Sequence, residues 1–159
     1  MANLFKQFLQ LLKALDEYKV EYILIGGVAV IIHGLARLTR DIDLFIKPTV
    51  PNIQQLKGAL NSIYHDRTIE EITIDDLQNY SVIRYGMPNG FYIDMMTRLG
   101  EAFSFDDLKY EIVEYKATKI RIATLESLYD LKKNSPREKD KMDASFLMEI
   151  IGKNIQKNS

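Results

Sequence analysis

The apolar positions near the N-terminus, Phe5, Phe8, Leu9, Leu12 and Leu15, recur every three or four residues, with Lys6, Gln7, Gln10 and Lys13 between them. That period predicts an amphipathic helix with one face on a core, and Asn3 is placed to cap it. The pattern then changes. Tyr22–Ile25 is a short unbroken apolar run stopped by Gly26 and Gly27, as a strand buried on both faces would be. Residues 28–33 read as a buried helix closed by Gly34, and residues 35–40 as a polar, basic loop. Residues 41–47 alternate and end at Pro48, which predicts a strand. A helix follows with Pro51 in its first turn and runs to about Ile63. Residues 66–79 are acidic and irregular, with room for one short helix.

Residues 81–85 and Phe91–Met96 flank Gly86, Met87, Pro88, Asn89 and Gly90, the signal of a hairpin. Tyr110–Tyr115 and residues 118–122 predict a second strand pair. Thr124 opens a helix with Leu125, Leu128 and Leu131 on one face. After Pro136, a last helix over residues 137–153 is expected to turn Met142, Phe146, Ile150 and Ile151 inward. Strands and helices alternate first and strands pair later. This predicts an α/β (α+β) class with a mixed sheet flanked by helices: a core over residues 1–123 and a C-terminal helical segment, residues 124–159, packed on it.

Composition narrows the chemistry. The 159 residues are 47% hydrophobic and 27% charged, a globular balance that suits one domain and excludes a disordered chain. There is no Cys, which removes a disulfide scaffold, a thiol nucleophile and thiolate-bound zinc, and two His make an imidazole zinc site a poor fit. With 21 basic and 22 acidic residues the formal charge is −1, so any nucleic-acid contact has to be local. No stretch reaches the roughly 18 apolar residues of a membrane span, and no signal-peptide pattern is present; the expectation is a cytoplasmic protein without a membrane partner.

The informative stretch runs from Ile25 to Leu44. Alternate residues of a strand share a face, so Asp41 and Asp43 point the same way, with Cβ atoms about 6.6 Å apart. Two carboxylates at that spacing can converge on one divalent cation. Asp94 is the best third acid, because a charge inside the apolar run Phe91–Met96 is costly unless it is paired or metal-bound. Glu70, Glu71, Asp75 and Asp76 lie in a stretch where acids serve solubility. Three clustered carboxylates repel, and one pair at 4 Å costs about 4 kcal/mol at an effective dielectric near 20. The cluster therefore implies a cation, or raised pKa values without one, and all-oxygen ligands favour Mg2+ or Mn2+. Gly26 and Gly27, between a strand and a helix start, let a phosphate approach backbone N–H groups. The bland alternatives are an ordinary tight turn and the wet face of an edge strand.

Gly26 and Gly27, His33 and Gly34, Arg37, Thr39, and Asp41-Ile42-Asp43 together resemble the nucleotidyltransferase superfamily typified by DNA polymerase β. They are most similar to its small bacterial branch of abortive-infection and toxin–antitoxin nucleotidyltransferases. Leu128, Leu131, Lys132, Arg137, Lys139, Asp140 and Asp143 resemble that branch's C-terminal signature. The resemblance implies a mixed-sheet nucleotidyltransferase core and a two-metal transfer of a nucleoside monophosphate from a nucleoside triphosphate. Asp41, Asp43 and Asp94 would be catalytic and hold Mg2+ or Mn2+. Gly26, Gly27, Arg37, Thr39, Lys132 and Arg137 would bind the nucleotide, with Lys133 beside Lys132. The acceptor would be a hydroxyl or phosphate on RNA, a protein or a small molecule, and a cognate toxin or antitoxin would be a partner. Many superfamily members carry Gly-Ser where this chain has Gly26 and Gly27, so only backbone donors remain there. The alternative is a non-catalytic nucleotide-binding or antitoxin-like module on the same fold.

The remaining candidates have plainer readings. His33 on an apolar helix is more often a core or capping histidine than a base. Arg37 and Arg40 either bind phosphate or solvate a loop. The basic run from Lys132 to Lys141 suits a solvated helix end as well as a phosphate or RNA contact. Thr39 can brace the Asp41 strand by a local hydrogen bond. Tyr80, Tyr85 and Tyr92 can stack a base, but strands favour Tyr in any case.

Overall fold

The computed structural model describes residues 2–99 and 103–157. Helix α1 (Ala2–Glu17) leads into strand β1 (Tyr22–Ile25), α2 (Gly26–Ile32) and β2 (Asp41–Ile46). Then come α3 (Val50–Tyr64), α4 (Ile74–Asn79) and the hairpin β3 (Ile83–Met87) and β4 (Phe91–Met96). Short strands β5 (Arg98–Leu99) and β6 (Phe103–Ser104) precede a second hairpin, β7 (Tyr110–Tyr115) and β8 (Thr118–Ala123). Helices α5 (Leu125–Lys132) and α6 (Glu138–Lys157) follow. The six-stranded sheet has the order β3-β4-β2-β1-β8-β7. It is mixed: β2 lies parallel to β4 and β1 parallel to β8, and the other pairs are antiparallel.

Local chemistry explains most boundaries. Thr49 caps α3 by accepting the Asn52 N–H, and a proline occupies the helix's first turn. Thr124 caps α5 in the same way through Ser127. Phe8, Leu11, Leu12 and Leu15 of α1 are fully buried, as the helical period requires. Packing joins neighbours and distant elements alike: α1 meets α3 and β8, α2 meets β1 and β2, and α5 meets α6.

Three expectations are corrected. α1 already begins at Ala2, so Asn3 sits inside its first turn and does not precede it. Met142 is 67% exposed; Asp143 and Leu147 take the fully buried positions of α6, whereas Phe146 packs against the core as expected. Strands β5 and β6, of two residues each, are too short to show alternation and were not anticipated.

The topology places the chemistry. β1 delivers the Gly26 turn to the end of the sheet where β2 begins, and Ile25 pairs with Asp43. On the other side of β2, Asp43 stands opposite Asp94 of β4, and Asp94 stands opposite Arg84 of β3. Directly opposed residues share a face, so Asp43, Asp94 and Arg84 form one row across three strands.

Candidate functional site

Asp43 is hemmed in by the Gly26 turn. A methyl group at Gly26 would lie 2.8 Å from Asp43 Cγ, and Gly26 has φ +73°, so both space and backbone conformation demand glycine there. Burial, then the charges of Asp94 and Asp41, push the Asp43 carboxyl from 3.8 up to about 7, while Lys132 and Arg137 pull it down. Asp41, at the start of β2, is more open and is braced by Thr39. The Thr39 hydroxyl donates to the Asp41 carbonyl at 3.2 Å and accepts its N–H at 3.4 Å, the local bond expected from the sequence.

Asp94 is buried, as its apolar neighbours suggested, and it has a partner. Arg84 donates through Nε to one carboxylate oxygen at 2.8 Å and through Nη2 to the other at 2.9 Å. The same Nη2 reaches Asp41 at 3.4 Å. The guanidinium lies 4.5 Å from the centroid of the Tyr92 ring. The bond to Asp94, and then its charge, hold Arg84 above the usual arginine range. Sequence reasoning missed Arg84.

Lys132, buried in the last turn of α5, donates to Asp140 at 2.9 Å and lies 2.8 Å from Asp143. Asp143 is 1% exposed and also pairs with Arg37, from the loop before β2. Ser135 donates to Asp140 at 2.7 Å. Burial pushes the Asp140 carboxyl up, but Ser135, Lys132 and Arg137 outweigh it and hold it below its usual range. The Arg37 guanidinium packs on Gly27, where a Cβ would lie 3.1 Å from Cζ. The missing Gly-Ser hydroxyl therefore has a local reason: Arg37 fills that space.

One cleft of about 1060 Å3 joins these groups. Its lining includes all nine sequence-derived candidates: Asp41, Asp43, Asp94, Gly26, Gly27, Arg37, Thr39, Lys132 and Arg137. Arg137 stands exposed at the rim, with Nε 3.9 Å from Asp140. Lys133 does not line the cleft; it pairs with Asp130 at 3.1 Å. His33 serves the fold, its Nε2 3.1 Å from the Ala123 carbonyl. Arg40 and Tyr92 line the cleft, whereas Tyr85 donates to Asp66 at 2.7 Å beside a separate depression. Glu70, Glu71, Asp75 and Asp76 are not part of the cleft wall.

The acids suit a hard divalent cation in charge and in ligand type: carboxylate oxygens only, more negative charge than Arg84 balances, and an Asp43 whose ionised form is held back by burial and like charge. Among the described residues, however, no three acidic or histidine side chains form a ready cage, and both Asp94 oxygens are given to Arg84.

The fold has solved counterparts. An antigenic nucleotidyltransferase-like protein from Paracoccidioides brasiliensis superposes with a TM-score of 0.58 at 15% identity, over 93% of this chain and 77% of its own. The lincosamide antibiotic adenylyltransferase LnuA, with lincomycin bound, gives 0.57 at 22% identity, over 91% and 96%. ANT(2")-Ia, in complex with adenylyl-2"-tobramycin, gives 0.56 at 14%, over 97% and 92%. At these identities the likeness is one of fold, that of the nucleotidyltransferases. No curated protein matches the chain in sequence. Residues 10–157 match the family model described as nucleotidyl transferase AbiEii toxin, type IV TA system, and the chain belongs to that family.

Proposed function

We propose that the protein moves a nucleoside monophosphate from a nucleoside triphosphate to a hydroxyl or phosphate acceptor and releases pyrophosphate. The observation that carries this reading is the alignment of Asp43 with Asp94, and of Asp41 on the same strand, at the floor of a cleft that also holds the Gly26 turn and Lys132. Asp41 and Asp43 are the residues to hold Mg2+ or Mn2+, with Asp94 as third acid. A divalent cation held there would orient the triphosphate and activate the attacking hydroxyl.

The chain's own groups do the rest. The N-cap residue of α2, Ile25, makes no side-chain cap bond, and the backbone N–H groups at Gly26 and Gly27 are the donors for phosphate oxygens. Lys132 is an ammonium with three donors; two are aimed at Asp140 and Asp143, and the third is available to a phosphate. Arg137 at the rim adds charge, and Tyr92 offers a ring face. Asp140 and Asp143 hold Lys132 in place. The acceptor class spans RNA, a protein side chain and a small molecule. The family's link to type IV toxin–antitoxin systems supports a cognate antitoxin as partner and a cytoplasmic setting. Among the described residues, no helix is long and apolar enough to cross a membrane.

Calorimetry with Mg2+ and each nucleoside triphosphate, followed by an assay for pyrophosphate release, tests the reading. Metal-dependent triphosphate binding with turnover is expected. Binding without turnover, over a panel of RNA, protein and aminoglycoside or lincosamide acceptors, would favour the non-catalytic module. No binding would remove the nucleotide from the account.

A further inference from the structure

Arg84 occupies the place among the acids where a cation belongs. The sheet register brings it directly opposite Asp94, which stands directly opposite Asp43. Its fork fills both Asp94 oxygens at 2.8 and 2.9 Å and reaches across to Asp41 at 3.4 Å. A carboxylate held in a bidentate guanidinium pair presents its best lone pairs to that pair and not to a metal. Asp43 lies between these two acids and, among the described residues, makes no ion pair of its own.

We propose that Arg84 is an internal counter-ion that holds Asp94 and Asp41 until a divalent cation replaces it, and thereby sets how tightly the cleft takes metal. This rests on the reading of Asp41, Asp43 and Asp94 as the cation site. Two features make the exchange feasible. The Arg84 side chain is 51% exposed on the cleft wall, so it leaves without opening the core. It also stacks on Tyr92 at 4.5 Å, a surface that keeps a released guanidinium beside the cleft. Once released, the same charge is free for the phosphates of the incoming nucleotide. Arg84 is thus a positioning residue with two faces: it opposes metal binding alone and favours triphosphate binding after the metal is in.

The test is Mn2+ binding to the full chain without nucleotide, followed by electron paramagnetic resonance, for wild type, Arg84→Gln, Arg84→Lys and Asp43→Asn. Arg84→Gln is expected to bind Mn2+ roughly tenfold more tightly, within the range usual for coupling between two binding events. Arg84→Lys keeps the charge without the fork and is expected to fall between. The KM for triphosphate in saturating metal should move the other way and rise in Arg84→Gln, a split that a merely structural arginine does not produce. Wild-type or weaker Mn2+ affinity in Arg84→Gln, while Asp43→Asn loses the metal, overturns the counter-ion role and leaves the transferase reading standing. Mn2+ binding by none of the four proteins overturns both. If Arg84→Gln does not fold, Arg84→Lys decides, and an unchanged dissociation constant in it overturns the proposal.

Discussion

Asp140 and Asp143 at the α5–α6 side of the cleft, and Asp41, Asp43 and Asp94 on the sheet, are acids of one site with opposite charge balance. The first two face Arg37 and Lys132, with Arg137 3.9 Å from Asp140 at the rim, so their charge is fully met. Among the described residues, the three on the sheet have Arg84 alone within ion-pair distance. A balanced buried cluster is complete in itself and acts as scaffold. An unbalanced one is stable only with help, and the help it calls for is a ligand. The difference teaches where to look for chemistry: not at the most buried charge, Asp143, but at the acid whose burial is left uncompensated, Asp43.

The largest expected effect comes from breaking the balanced side. Asp143→Ala leaves the two cations around it without their shared anion and should cost about 3–5 kcal/mol of stability, measured by urea unfolding. A loss below about 1 kcal/mol would mean that the cluster is not scaffold. On the unbalanced side, Asp43→Ala should leave unfolding nearly unchanged yet lower transfer at least about a hundredfold, read as initial rates of pyrophosphate release. Activity above a tenth of wild type would remove Asp43 from the reaction. Lys132 belongs to both sides, and Lys132→Ala should weaken triphosphate binding by about 1–3 kcal/mol in calorimetry, with Lys133→Ala costing less. The reverse order would contradict the cleft geometry.

The smallest effect is the most diagnostic. In the folded, metal-free protein Asp43 sits near 7, against 3.8 ordinarily. Between those values the folded state keeps a proton that the unfolded chain has released. The stability this proton brings is present in full below about pH 4 and is lost as pH rises through about 7. Asp43→Asn carries no such proton and should melt at the same temperature as wild type or higher at neutral pH, with the gap closing in acid. Mg2+ or Mn2+ should raise the wild-type melting temperature more than that of the variant. Parallel melting curves across pH 4–8, with chelator, would show instead that Asp43 is an ordinary structural acid.

Much of this arrangement was legible in the sequence because it follows from periods of two and 3.6. The alternation of Asp41 and Asp43, the apolar run around Asp94 and the Gly26 turn locate the floor of the cleft from local spacing alone. Arg84 was not legible, because its role depends on register. Closing the hairpin symmetrically on a loop of residues 86–90 pairs Arg84 with Tyr92. In the structure the strands continue through Gly86 and Met87, the turn shrinks to Pro88–Gly90, and Arg84 shifts by two places to meet Asp94. The signal was present in the two ends of β3 and β4, but it needed the turn length to be read. Met142 misled for another reason. α6 buries an ion-paired acid, Asp143, where an apolar residue is the ordinary expectation, so a hydrophobic stripe alone misplaces Met142 while Phe146 packs on the core.

Arg37 and Asp143 are 106 positions apart, and their contact joins the loop before β2 to the last helix. On the ribosome, Asp41, Asp43 and Asp94 are all in the nascent chain before Asp143 is made. At about 5–20 residues per second the interval between Asp94 and Asp143 lasts roughly 2–10 seconds. Throughout it the emerging polypeptide owns its acids but not the wall that fixes Lys132 and Arg37. A chain that has not yet reached Asp143 holds the three acids of the sheet without the contacts that tie Arg37 and Lys132 to the last helix.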